Sequence, residues 1–365
     1  MRQRIINSVI AIFLLATLPA WGQTTVIKRS SSQQSIKGKS SMRWHHTGDF
    51  HEGLAKVSIN SETEGYVDKT GKLIIPCKWR WTGGFSEGLA WVEDDNWKYG
   101  FIDKTGRVAI SCIWQHAGSF HEGLAMIKDG GKCGFIDKTG KVVIPCKWRT
   151  PKWYTLSLYG AGDFSEGLAW VGDENGFGYI DKTGTIMIPC DLKEINPFSE
   201  GLALVKRNNN EWAYINNTGK VIISCSKWNG WSCKSFSDGL ALVENSDGFG
   251  FVDHTGKEMI PCKWKEAKSF SEGLAGVKDE SGKWGFIDKT GTVVVPCKWK
   301  SVDSFSEGLA CVKDDNWMCG YIDKTGKLVI SCKWEYALSF SEGLAWVQDA
   351  NGRYFIINKQ GQIVK

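Results

Sequence analysis

The chain has 365 residues and a formal net charge of +5, but residues 1–48 hold seven cations and no carboxylate, so the remainder stands at −2. A surface that neutralises phosphates needs a basic stripe on the folded part, and none is visible, which argues against a nucleic-acid partner. Twelve cysteines and nineteen tryptophans are the compositional features left to explain.

In chain order, Arg2 and Arg4 precede an apolar stretch from Ile5 to about Pro19, and Ala20-Trp21-Gly22 follows as a small-x-small pattern. Residues 1–22 therefore read as a secretory signal peptide, the stretch being short for a bilayer span. Membrane contact is then expected only through this transient segment. The mature protein is expected to be exported, to the periplasm, the cell surface or beyond in a bacterium. Residues 23–43, polar and rich in serine, read as a linker.

From residue 44 to residue 365 the chain repeats itself. The signature Phe-x-[Glu/Asp]-Gly-Leu-Ala begins at Phe50, Phe85, Phe120, Phe164, Phe198, Phe236, Phe270, Phe305 and Phe340, at intervals of 35, 35, 44, 34, 38, 34, 35 and 35 residues. Seven copies carry Asp-x-Thr-Gly near the middle, and the other two drift to Asn216-Asn217-Thr218-Gly219 and Asn358-Lys359-Gln360-Gly361. Nine copies of one pattern describe a scaffold, because a catalytic site occurs once or twice in a chain.

Within the copy at Phe85, residues 88–93 are apolar and run into Asp94-Asp95-Asn96, a turn cluster. A second strand is predicted over 97–103 and a third over 107–114. Between them Lys104-Thr105-Gly106 makes a tight reversal, with Asp103 capping the turn and Gly106 at positive φ. The expected unit is thus a three-stranded antiparallel meander. Leu89 and Trp91 fall on one face of the first strand and Ala90 and Val92 on the other, so both faces need covering. With no helices available, each sheet must lie between its neighbours, in an open or spiral array or in a closed propeller-like ring. The missing final Cys-Lys-Trp segment and the lone Trp44 ahead of the first unit favour closure. Three strands per unit, nine units and uneven intervals favour the open array, which is the expected arrangement with the ring as its alternative.

Several residue sets could carry chemistry. The nine carboxylates of the signature share one environment, whereas acid–base catalysis needs two that differ. They are expected to accept hydrogen bonds in the turn, from backbone amides or from a lysine such as Lys104 of the next unit. No nucleophile elbow, calcium loop or zinc spacing is present, so no catalytic residue, metal or cofactor is expected. Eight cysteines, from Cys77 to Cys332, share one phase and are expected to act as small buried hydrophobes. Cys311 and Cys319 flank a hairpin and are a possible disulfide, with Cys225 and Cys233 a weaker pair. Tryptophans ending the third strand, such as Trp79 and Trp114, recur in phase and should pack between units. Trp91, Trp170 and Trp346 alternate with other residues and are candidates for exposure. Loops that break a repeat carry its specific contacts. The insertions at 149–163 and 229–235 therefore supply the candidate binding residues Trp153, Tyr154, Tyr159 and Trp231.

Lys283-Trp284-Gly285-Phe286-Ile287-Asp288-Lys289-Thr290-Gly291, preceded by Phe270-Ser271-Glu272-Gly273-Leu274-Ala275, resembles the bacterial WG (KWG) repeat family, and the resemblance runs over residues 44–365. Some units depart from the name-giving pair, with Tyr99-Gly100, Cys133-Gly134 and Phe177-Gly178 in its place. The resemblance implies a β-rich repeat module without general enzymatic activity and with a role in binding. A non-enzymatic scaffold for a protein or other macromolecule is therefore expected. The alternative is a carbohydrate or cell-wall binding module that uses exposed tryptophans.

Overall fold

A computed structural model describes residues 44–59, 62–149, 151, 160–230 and 232–364. The expected signal peptide, the whole of the linker, and Trp153, Tyr154, Tyr159 and Trp231 lie outside the described residues. Among these the protein is all-β: nine antiparallel sheets, each in the strand order of the chain. The unit at Phe85 shows the predicted strands at Leu89–Glu93, Tyr99–Asp103 and Val108–Trp114. In seven of the nine sheets a further strand leads into the signature turn, as short as Trp81–Thr82; six of these have four strands rather than the expected three, and the seventh, with Tyr336–Ala337, has three because it has no final strand.

The Asp-x-Thr-Gly reversal behaves as its residues dictate. One Asp103 carboxylate oxygen accepts from the Thr105 amide at 2.9 Å, the Thr105 hydroxyl at 2.6 Å and the Arg107 amide at 3.1 Å, while Gly106 takes φ +82°. The name-giving glycine has a different cause. A Cβ on Gly320 would sit 2.6 Å from the Ile330 carbonyl oxygen and 2.8 Å from the Cys332 amide nitrogen, because the last strand crosses over it at a bulge. Ala213 is admitted in unit 5, where the last strand is cut to Val221–Ser224. Phe355 is admitted in unit 9, where only an Ile357–Ile363 bridge follows.

Packing is shared between units. The phenylalanine of each signature turn seats against an aromatic ring of the unit before it: Tyr66–Phe85 at 4.9 Å, Phe101–Phe120 at 4.8 Å, and so on to Tyr321–Phe340 at 4.8 Å between centroids. Each such contact adds about 0.5–1.5 kcal/mol beyond area burial. Where the preceding ring is tyrosine, its hydroxyl also donates forward, as from Tyr66 to the Gly83 carbonyl at 2.6 Å. The in-phase tryptophans are buried in these joints: Trp79 packs with Phe85, Ala90 and Val92 of the next unit.

The ring is closed, so the alternative arrangement holds over the open array. Phe50 stacks on Trp346 at 6.3 Å, the Ser341 hydroxyl donates to the Phe50 carbonyl at 2.7 Å, and Trp44 is buried with Trp346 and Ile356. The His45 amide bonds the Ser58 carbonyl as the Arg80 amide bonds that of Glu93, which puts Trp44 in the place that Trp79 fills one unit later. Trp44 thereby supplies unit 9 with the tryptophan its own truncated sheet lacks.

Candidate binding face

Antiparallel strand order gives the ring two ends. One carries the signature turns and the Asp-x-Thr-Gly turns. There the Glu52 carboxylate accepts from the Gly88 amide of the next unit at 3.0 Å and pairs with Lys104 at 2.9 Å. Glu87 repeats this with Gly123 and Lys138, and Glu342 completes the circle with Gly53 and Lys69. This is the turn-stabilising role expected of these carboxylates, down to Lys104. Partial burial pushes the Glu52 acid upward, but Lys104 and the Gly88 amide outweigh it and hold it below the usual range. The nine acidic residues also sit at φ of 52° to 55°, a left-handed conformation the clasp must stabilise. Three clasps depart: Glu166 meets Gly201 with Asn217 where the lysine would stand, Glu200 meets His254 at 3.3 Å, and the shorter Asp238 accepts the Gly273 amide at 2.6 Å without an ion pair to Lys289.

The other end carries the middle hairpin turns and the passages between units, and it is irregular. Trp81, Trp97 and Trp317 are 53%, 62% and 59% exposed on this end. The Arg80 guanidinium lies 3.6 Å from the Trp97 ring centroid, covering one side of the indole. Trp97 and Trp317 adopt φ +59° and +64° at the last position of their turns, where other units place Gly282, Gly352 or Asn210 at similar angles. Trp81, Trp97 and Trp317 escape a reading by phase alone. The signal that finds Trp97 and Trp317 is the alignment of a large aromatic with a glycine that the turn requires, whereas Trp81 opens the short strand Trp81–Thr82 and leaves no such mark.

Two clefts border units 4 to 6, the first running from the middle hairpin turn at Arg207 to the Thr218-Gly219 turn of the clasp end, the second beside the passage into unit 6. In unit 4 the last strand ends Asp191-Leu192 where others have Lys-Trp, and the smaller Leu192 leaves a cleft of about 390 Å³ bordered by Asp191, Arg207, Asn208, Asn209 and Thr218. In unit 5 one extra residue separates Cys225 from Trp228, compared with the spacing of Cys112 and Trp114. A cleft of about 280 Å³ forms beside it between Glu194, Asn196, Trp212 and the described part of the second insertion, Gly230, Cys233 and Lys234.

Trp91, Trp170 and Trp346 are not among the exposed tryptophans, contrary to expectation. Trp346 is 1% exposed in the closing joint; Trp91 lies over Gly83 and against Tyr99, and Trp170 over Gly162 and against Phe177. All twelve cysteines are free thiols. Cys190, Cys225 and Cys262 of the in-phase set are buried and the other five are half-buried, with burial pushing the Cys112 and Cys332 thiols up to about 11. Cys311 and Cys319 are both buried and diagonal to one another across two paired strands, with the Cys319 thiol donating to the Glu335 carbonyl at 3.6 Å. Cys225 and Cys233 are buried together in one apolar cluster outside any paired strands, with the Cys233 thiol donating to the Asn229 carbonyl at 3.6 Å.

Among solved structures, the chain is similar to a computationally designed protein, Ika8, at 10% identity over 78% of this chain and 97% of that one, with a TM-score of 0.46. It is also similar to BamB from Moraxella catarrhalis at 10% identity over 85% and 95% of the two chains, with a TM-score of 0.44. No curated protein sequence matches it. The profile of the family described as WG containing repeat matches eight times, at residues 65–96, 99–133, 134–149, 177–210, 212–248, 249–284, 284–316 and 320–354. These matches cover more than half of the chain, at the units whose glycine and clasp geometry are described above, and the chain belongs to the WG-repeat family.

Proposed function

We propose that the ring is an exported, non-enzymatic scaffold that binds a macromolecule through its irregular end. The observation that carries this reading is the division of labour between the two ends. One end is occupied nine times over by a carboxylate that accepts the next unit's glycine amide, while the exposed tryptophans and the cleft beside Gly230 and Lys234 stand at the other. Exposed aromatic anchors are a common basis of macromolecular binding.

The test is a Trp81→Ser/Trp97→Ser/Trp317→Ser variant compared with the parent chain in capture from a cell-envelope extract and on a glycan array. Loss of a defined ligand in either assay, with the fold intact by circular dichroism, supports the reading. Undiminished capture by the variant overturns it. Export is tested on the full chain by mass spectrometry of the mature N-terminus, expected near residue 23; an intact cytoplasmic chain refutes that part.

A further inference from the structure

The turn Asp94-Asp95-Asn96-Trp97 of unit 2 recurs letter for letter as Asp314-Asp315-Asn316-Trp317 in unit 8. Both are built alike. The first Asp accepts the Asn amide at 2.9 Å and the amide after the Trp at 2.9–3.0 Å, so the turn is rigid without help from the indole. The indole nevertheless occupies a left-handed position that glycine or asparagine fills elsewhere, and it stays exposed. A bulky residue there costs about 1–2 kcal/mol against glycine, and strain of this kind persists at functional sites. The side chains of Asp95, Asn96 and Asn316 make no bond within the described residues, while Asp315 is held by Lys283 and Lys300.

Resting on the scaffold reading above, we propose that these two turns are twin carbohydrate-binding subsites that together hold one polysaccharide chain. A flat indole flanked by amide and carboxylate groups matches a pyranose, which presents an apolar C–H face ringed by hydroxyls. Arg80 braces the far side of Trp97 and leaves the other for the sugar. The two turns stand on the same end of the ring with units 9 and 1 between them. Neither supplies the roughly 800 Å² of contiguous surface per partner that a stable protein interface takes. A duplicated small site suits a ligand that repeats along its length, because the second contact is then made at high effective concentration.

The test is native electrophoresis of the full chain in gels cast with xylan, mixed-linkage β-glucan, glycol chitin or soluble peptidoglycan strands, alongside Trp97→Gly, Trp317→Gly and the double variant. The parent is expected to be retarded by at least one polymer. Each single variant should lose roughly tenfold or more in apparent affinity, the scale of one lost arm of a two-site attachment, and the double variant should migrate as in a plain gel. Melting temperatures should be unchanged or higher, since glycine relieves the turn. No retardation by any polymer, retardation that survives the double substitution, or a lower melting temperature in both glycine variants overturns the proposal. Loss of an envelope protein from capture by the same variants, with no retardation, also overturns it while leaving the scaffold reading intact.

Discussion

Replacing Glu52 isolates what one clasp contributes. Its carboxylate accepts the Gly88 amide at 3.0 Å in a part-buried site, a charge-assisted bond of about 1.5–3 kcal/mol. The Lys104 pair, with side chains 45% and 30% exposed, adds about 0.5 kcal/mol after solvent screening. Glu52→Ala should therefore destabilise by about 2–3 kcal/mol. Glu52→Gly loses the same bonds but relieves φ +52°, recovering about 1 kcal/mol. Glu52→Gln keeps a neutral acceptor and should cost about 1 kcal/mol. Urea unfolding followed by tryptophan fluorescence gives the order directly. Glu166→Ala is the internal control: lacking a lysine, its cost should be insensitive to 1 M salt, which shortens the Debye length to about 3 Å from about 10 Å at 0.1 M, whereas that of Glu52→Ala should fall slightly. A glycine variant at least as damaging as the alanine variant would refute the reasoning.

Gly320→Ala should cost more than 3 kcal/mol, as its Cβ would strike the backbone of the last strand; a melting temperature within a few degrees of the parent contradicts the crossing described. Trp346→Ala empties the closing joint and should cost about 3–5 kcal/mol. Hydrogen exchange should quicken at units 1 and 9 before unit 5, and uniform exchange would speak against a localised closure. The Thr105 and Thr139 hydroxyls, with the turn amides, hold the Asp103 and Asp137 carboxyls below their ordinary value. Groups depressed in the folded state contribute stability that is fully present above the unfolded value, near pH 4, and lost as pH falls through the folded one. Thermal unfolding should accordingly be level above pH 5 and decline below about pH 4; a level profile down to pH 2.5 would be inconsistent with these turns.

Much of the unit was legible because its determinants are local. Asp103 and Gly106 specify their reversal within four residues, and cover on both faces follows from the apolar runs at 89–92 and 99–102. The short first strand was not, since pairs such as Glu266-Ala267 carry no period and owe their pairing to Lys278 and Val277 across the sheet. Closure was half legible: Trp44 was a visible orphan, but whether the ends meet depends on rotation summed over every joint. The exposure of Trp91 was misjudged because its cover is Gly83, and a glycine opposite an indole leaves no mark in composition. Trp97 was passed over because its turn was read as polar residues followed by a strand, whereas the structure makes the tryptophan the turn's last residue.

Each unit of the clasp end holds both halves of the joint, an acid that reaches forward and a glycine amide, usually with a lysine, that receives from behind. A duplicated copy arrives with its own connectors already matched to whatever stands on either side. Such a chain can gain or shed copies by recombination without inventing a new seam, and only the angle between copies has to adjust for the circle to close again.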